Sequence, residues 1–307
     1  MSERGREVQL GPGGLVLVDK SAGMTSHDVV ARVRKLAGTR KVGHAGTLDP
    51  MATGVLVVGI ERTTRLLGYL AGGDKTYAAT IRLGESTDTD DAAGTFLASV
   101  DTGAVTEAAI RDEVSKLTGA IQQVPTTISA IKVDGERAYK RARAGEDVEL
   151  AARPVTVHQF VVGELRPVGA VLDVDVEVHC SSGTYVRALA RDLGAALGVG
   201  GHLTALRRTS VGPFDVAACR SLEQLAEELV VLPLADAARA AFPCRELDEL
   251  AARIVGNGGW IPAAEDAVDG RVAAFGPDGE LVALLGDKDG RSWPVVGFTG
   301  PPVTSGG

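Results

Sequence analysis

The chain has 307 residues, 45% of them hydrophobic, enough for one large core and a smaller second unit. Three cysteines, Cys180, Cys219 and Cys244, stand far apart without a CxxC pair, and five histidines form no ligand cluster, so neither a disulfide framework nor a metal site is expected. The net charge of −8 would argue against a nucleic-acid partner if charge were evenly spread, and it is not.

Residues 1–12 are expected to form a flexible leader. Met1 to Gln9 is charged and lacks the apolar stretch of a signal peptide, and no later apolar run is long enough to span a bilayer. A cytoplasmic protein is therefore expected. Gly14 to Lys20 reads as a strand. Ser26 reads as the N-cap of a helix with Val29, Val30, Val33 and Leu36 on one face and Gly38 as its stop. A glycine-rich turn, Gly43 to Gly54, leads into the apolar strand Val55 to Ile60. A short helix over Thr63 to Leu70 and a strand over Tyr77 to Leu83 follow, and then a helix capped by Thr106. Leu172 to Cys180 alternates strictly between apolar and polar residues, the pattern of an antiparallel strand with one wet face. Ser181-Ser182-Gly183 turns the chain into a helix that aligns Val186, Leu189, Leu193 and Leu197.

Strands and helices interleave without a βαβ repeat, so the fold class is α+β: a mixed, mainly antiparallel sheet core flanked by helices. Pro233 and Pro243 bracket an alanine-rich break. Beyond it, a short helix at Leu247 to Asn257 and strands at Arg271 to Phe275, Leu281 to Leu285 and Pro294 to Phe298 predict a small β-barrel. The expected organisation is a catalytic domain over 13–240, a C-terminal barrel over 245–298 and a frayed tail over 299–307.

Basic residues gather in three places: Arg32 to Lys41, Lys132 to Arg143, and Arg187 to Arg208. Acid gathers elsewhere, over Glu85 to Asp91, Asp101 to Glu113 and Glu223 to Glu249. Segregation of this kind builds a basic groove on an acidic body, with the acidic 85–113 stretch expected to face away from RNA.

The richest signal is Gly43-His44-Ala45-Gly46-Thr47-Leu48-Asp49-Pro50-Met51-Ala52-Thr53-Gly54. Its glycines allow positive φ and close approach, and Pro50 biases Asp49 toward extended geometry. A carboxylate projected from a fixed turn at a strand edge suits a nucleophile or general base. An isolated Asp-Pro would more often form a plain Asx-turn.

The whole string resembles the active-site motif of the TruB family of tRNA pseudouridine synthases. The likeness extends to Asp19-Lys20 with Gly23-Met24-Thr25-Ser26, to Lys75-Thr76-Tyr77, Arg82-Leu83-Gly84, Cys180 to Arg187, and Leu206-Arg207-Arg208. The resemblance implies that Asp49 is the catalytic aspartate, that Arg187 pairs with it, and that Tyr77 stacks on the uracil or relays its C5 proton. It also implies that His44 inserts into the RNA, that Lys20 contacts phosphate or supports the Asp49 loop, that Tyr185 stands behind the site and that Leu206 walls the pocket. The segment Ser129 to Leu150, with Lys132, Arg137, Lys140, Arg141 and Arg143, resembles the family's RNA-gripping insertion, and the C-terminal barrel resembles a PUA-type RNA-binding domain.

The activity implied is isomerisation of a flipped-out uridine, uridine 55 of the tRNA T-loop, by a monomer without cofactor. Whether Asp49 attacks C1′, attacks C6 or deprotonates the sugar is left open by the residues. Other readings are a relative working on guide-RNA particles, a non-catalytic RNA chaperone and a small-molecule hydrolase. Intact Asp49, Tyr77 and Arg187 argue for catalysis, and the cationic clusters argue for RNA.

Overall fold

The apolar run after the Asp49 turn becomes the strand Thr53–Glu61, buried at every position between its ends. In the computed structural model, which describes residues 13–126, 150–264 and 270–299 together with the backbone of 132–133 and 136–137, this strand lies near one side of a ten-stranded sheet. The order along the sheet is Leu232–Pro233, Gly13–Lys20, Thr53–Glu61, Gly201–Val211, Lys75–Leu83, Val171–Cys180, Arg153–Val168 and Gly119–Gln123. Val42–Ala45 pairs with Thr53–Glu61, and Phe214–Asp215 with Gly201–Val211.

The pairs are antiparallel except where Thr53–Glu61 meets Gly201–Val211. That parallel join holds only two residue pairs, Arg207 with Thr53 and Arg208 with Gly54. Gly54 is required there: it has φ +98°, and a Cβ would lie 2.1 Å from the Arg208 carbonyl oxygen. This narrow seam places the Asp49 loop beside the strand that carries Leu206, Arg207 and Arg208.

The helix expected after Gly23 runs over Ser26–Ala37 and ends at Gly38 in the left-handed region. Its N-cap is Thr25, whose side chain forms a capping box with Asp28, so the cap falls one residue earlier than expected. Val29, Val30 and Val33 bury against Val16, Val18, Leu56, Val58 and Ile60. On the other half of the sheet, Tyr77, Ile81, Val174, Val176 and Val178 share a core with Leu189 and Leu193 of the helix Val186–Ala196.

The alternating strand behaves as its pattern demands. Its apolar residues are buried, while Asp173 accepts two bonds from Arg82 at 2.7 and 2.9 Å and Asp175 accepts one from Thr80 at 2.7 Å. The strands Arg153–Val168 and Gly201–Val211 were not foreseen, because neither alternates cleanly. The first carries two register shifts and the second pairs on both edges through two more.

The C-terminal strands form a second sheet of five, ordered Cys244–Glu246, Val272–Phe275, Leu281–Lys288, Arg291–Gly297 and Ile261–Pro262, with the helix Glu249–Gly256 against it. Its Ala273, Phe275, Leu281, Leu284 and Phe298 join one core with Leu15, Val57, Leu67 and Leu234 of the first unit. Arg62 and Arg65 donate to the carbonyls of Phe298 and Gly297 at 2.7 and 2.8 Å, and the Arg239 guanidinium lies 3.7 Å from the Phe275 ring centre. Among the described residues, no helix is long and apolar enough to cross a membrane.

Candidate active site

Asp49 sits on a turn whose backbone is tied at every step. The carbonyls of Gly46 and Thr47 accept from Arg208 at 3.0 and 3.4 Å, and that of Leu48 from the Ser26 hydroxyl at 3.1 Å. The Asp49 carbonyl accepts from the Ala52 amide at 3.1 Å, and that of Pro50 from Gly23 N–H and Lys20 Nζ at 2.8 and 3.3 Å. Ser26 also accepts from the Leu48 amide at 2.9 Å, which is why it does not cap its own helix. Arg208 adds a 2.8 Å bond to Val55, and its side chain is buried.

Lys20 is placed beneath the loop, with its ammonium turned to backbone carbonyls. It has no exposed surface, and Nζ donates to the carbonyls of Ser21, Met24 and Pro50. Burial pushes its pKa down, and the Asp49 carboxylate pulls the other way.

Arg187 enters from the first turn of the helix Val186–Ala196, with its side chain only 5% exposed. Its Nη2 lies 3.0 Å from Asp49 Oδ2, while Nη1 donates to the Thr89 carbonyl at 2.9 Å and lies 3.5 Å from Asp91 Oδ2. A guanidinium held from two sides cannot rotate away from Asp49. Asp91 is itself fixed: its Oδ1 accepts from the Thr89 hydroxyl at 2.6 Å and the Ala93 amide at 3.0 Å. Asp49 differs from both in keeping 37% of its side chain open to solvent.

Of the acidic 85–113 stretch expected to face away from RNA, Asp90 and Asp91 turn instead toward the basic side chains Arg191 and Arg187. The stretch begins as a hairpin, Glu85–Thr87 with Phe96–Ser99, whose loop brings Asp91 to Arg187 and Asp90 to within 3.3 Å of Arg191. Burial pushes the Asp90 carboxyl up to about 6, against the opposing pull of Arg191.

Asp49, Tyr77, Tyr185, Arg187 and Leu206 converge on one cleft of about 290 Å³, with Lys75 and Arg208 also in its wall. Tyr77 is buried, with the Arg208 guanidinium close by in the same wall. Burial raises its pKa, so the ring meets a ligand as a neutral phenol. Tyr185 is clamped through its backbone by Gln123, which donates to its carbonyl at 3.1 Å and accepts from its amide at 2.8 Å. Lys75 points inward at the foot of the wall, with Nζ on the carbonyls of Ala71 and Gly73 at 2.9 and 2.7 Å.

His44 lies outside the cleft wall, on Val42–Ala45, edge-on to His27 with ring centres 5.6 Å apart. Burial, then the neighbouring His27 and Arg208, lowers its pKa, so its ring is neutral at physiological pH. Lys132 and Arg137 fall on a two-strand hairpin whose side chains are not described, and Lys140, Arg141 and Arg143 lie outside the described residues.

The sequence offered no sign of Asp91 or Gln123, since each acts through contacts about a hundred or sixty residues away. Arg208 was part of a motif, yet only its burial among loop carbonyls reveals what it does.

An exposed aspartate on a pinned turn, paired with a buried arginine beside a buried tyrosine, lies in an α+β fold of the pseudouridine synthase kind. Comparison with known proteins gives the family. The model of the TruB family pseudouridylate synthase N-terminal domain matches residues 34–186, and two C-terminal models of tRNA pseudouridine synthases match 187–247 and 242–299. The chain is 64% identical over 294 residues to tRNA pseudouridine synthase B of Arthrobacter sp. (strain FB24), covering 93% of this chain and 96% of that one. It is 60% identical over 291 residues to the protein of the same name from Thermobifida fusca, covering 94% and 99%. Among solved structures it resembles a chain of a Cbf5-Nop10-Gar1 complex, with TM-score 0.69, 29% identity, and 89% of this chain and 77% of that one covered. It also resembles a chain of an H/ACA RNP bound to a substrate RNA containing 2'-deoxyuridine, with TM-score 0.66, 28% identity, and 89% and 78% covered. The chain belongs to the TruB family of pseudouridylate synthases, and it is an isomerase.

Proposed function

We propose that this enzyme converts uridine 55 in the T-loop of tRNA to pseudouridine, with Asp49 as the nucleophile and no cofactor, acting as a cytoplasmic monomer. The carrying observation is the Asp49–Arg187 pair at 3.0 Å on the cleft wall, whose aspartate is 37% exposed while the arginine is 5% exposed. The isomerisation breaks the N1–C1′ bond, joins C5 to C1′, removes the C5 proton and returns a proton to N1. Asp49 takes the covalent role, by attack at C1′ or C6 or after proton removal from the sugar. Arg187 keeps the carboxylate ionised and aimed. Tyr77 and Leu206 hold the detached uracil by stacking and apolar contact.

The neutral His44 ring stacks where the flipped base leaves a gap, the flip itself costing about a few kcal/mol. The C-terminal sheet takes part in RNA binding as a PUA-like unit, and the 129–150 insertion grips the RNA. The names of the curated relatives support tRNA as the substrate.

The test is tritium release from a T-arm stem-loop labelled at uridine C5. Wild type releases label, while Asp49→Asn releases none and binds the RNA within about threefold of wild type. Release by Asp49→Asn at the wild-type rate would overturn the mechanism, and an affinity loss beyond tenfold would recast Asp49 as structural.

A further inference from the structure

The chain has two tryptophans, Trp293 on the C-terminal sheet and Trp260 one residue before its edge strand Ile261–Pro262. Trp260 and Trp293 stack with ring centres 5.3 Å apart at 26°, and Trp260 is 52% exposed. They belong to a row in which Trp293 and Gly286 lie on neighbouring strands, while Trp260 and Arg271 each stand one residue before the strand that flanks them. Ile261 pairs with Ser292, Trp293 with Gly286, and Val272 with Leu285, so Trp260, Trp293, Gly286 and Arg271 follow one another across the sheet. Gly286 lets the row close over it: a Cβ there would meet Arg271 Nη1 at 2.9 Å, Val295 Cγ2 at 3.0 Å and Trp293 Cζ2 at 3.2 Å.

Strand alternation puts the exposed Lys288 and Arg291, a directly opposed pair, on the same face as the tryptophans. Asp287 and Ser292 bond each other on the opposite face, where Arg245 also reaches Ser292 at 3.2 Å. Asp289 occupies the turn between Lys288 and Gly290. At its other end the row meets the catalytic unit, because Arg271 lies over the Tyr69 ring at 5.9 Å. Tyr69 is two residues from Ala71, which lines the cleft.

We infer that the row Tyr69–Arg271–Trp293–Trp260 is a stacking track for unpaired nucleotides of the bound tRNA beyond the T-arm. The argument rests on the tRNA reading above. A half-exposed tryptophan stacked on a second one offers a π-face to a base, sequence-tolerantly, and the flanking Arg271, Lys288 and Arg291 suit the phosphates between bases. Continuity with the cleft through Tyr69 places the track on a surface that the substrate already approaches.

Tryptophan emission reports this row alone. Full-length tRNA transcript and an isolated T-arm stem-loop are titrated into wild type, Trp260→Ala and Trp260→Phe, following emission and retention on filters. The expected result is quenching of wild type by tRNA, a loss of about tenfold in tRNA affinity in Trp260→Ala, and recovery of most of it in Trp260→Phe. The advantage of full-length tRNA over the stem-loop should shrink in Trp260→Ala. Wild-type tRNA affinity in Trp260→Ala, or emission that tRNA leaves unaltered, overturns the track. Emission that instead tracks protein concentration, with self-association in sedimentation, assigns the row to a second copy and likewise overturns it. A stem-loop affinity that also falls in Trp260→Ala marks a folding defect, and the Phe variant and wild-type quenching then decide. Failure of label release with quenching intact would sink the proposed activity and leave the track standing.

Discussion

Arg187 shows how much of the site depends on one side chain's surroundings. It is held by a carboxylate on each side and a carbonyl, so only a flat fork with several donors fills the place. Arg187→Lys should therefore lose about a hundredfold or more in label release while keeping the fold, since an ammonium cannot span Asp49 and Asp91 together. Asp91→Asn keeps the shape but removes the charge behind Arg187. A fall of about tenfold in kcat with KM little altered is expected from single-turnover measurements, and an unaltered kcat would show that Thr89 suffices to hold the fork. Asp49, Arg187 and Tyr77 were legible from their motifs. Asp91 was not, because an acidic run looks the same whether it faces solvent or a buried guanidinium.

At the scale of the element, the Asp49 turn owes its shape to groups outside itself. Lys20 and Ser26 come from the strand and helix before it, and Arg208 from a strand late in the chain. The motif around Asp19 to Ser26 was readable as a pattern, but its work of closing off carbonyls appears only when the elements are folded together. Lys20→Met should cost about 2–4 kcal/mol in urea unfolding, since the Ser21 and Met24 carbonyls lose this donor in a buried place and that of Pro50 is left with Gly23 alone. Ser26→Ala should cost about 1–2 kcal/mol and leave the helix cap intact, because Thr25 supplies it. Equal stability of either variant and wild type would mean that water replaces the lost bonds. Helix and strand positions with clean periodicity, such as Val29 to Val33 and Leu172 to Cys180, were legible. The bulged strands Arg153–Val168 and Gly201–Val211 were not, because each register shift breaks the alternation that would reveal them.

Across the whole molecule, the two sheets share one core, so unfolding followed by circular dichroism and by tryptophan emission should coincide. Two separated transitions would show that the C-terminal sheet melts alone. Acid has a specific effect through Asp90, whose carboxyl is raised from its ordinary 3.8 to about 6 by burial. The folded chain then holds that proton more tightly than the unfolded chain, so this group's contribution to stability falls as pH rises between those values and is regained on acidification. Asp90→Asn should raise Tm relative to wild type near pH 7.5, and the gap should narrow as pH falls through 6 and close only below about pH 4. Arg191 keeps Asp192 and the Val124 carbonyl at 2.8 and 2.7 Å in that variant, so it is not stranded.

The narrow parallel seam between Thr53–Glu61 and Gly201–Val211 has a temporal consequence. Arg208 closes the Gly46 end of the Asp49 turn from 162 residues away. Competence must therefore arrive late when the chain folds, after most of its sequence has found its place. A ribosome-bound chain that has emerged only as far as the alternating strand would hold its aspartate but have no shaped turn to present it. The turn thus stays unclosed until the strand that carries Arg208, about two thirds of the way along the chain, has been made.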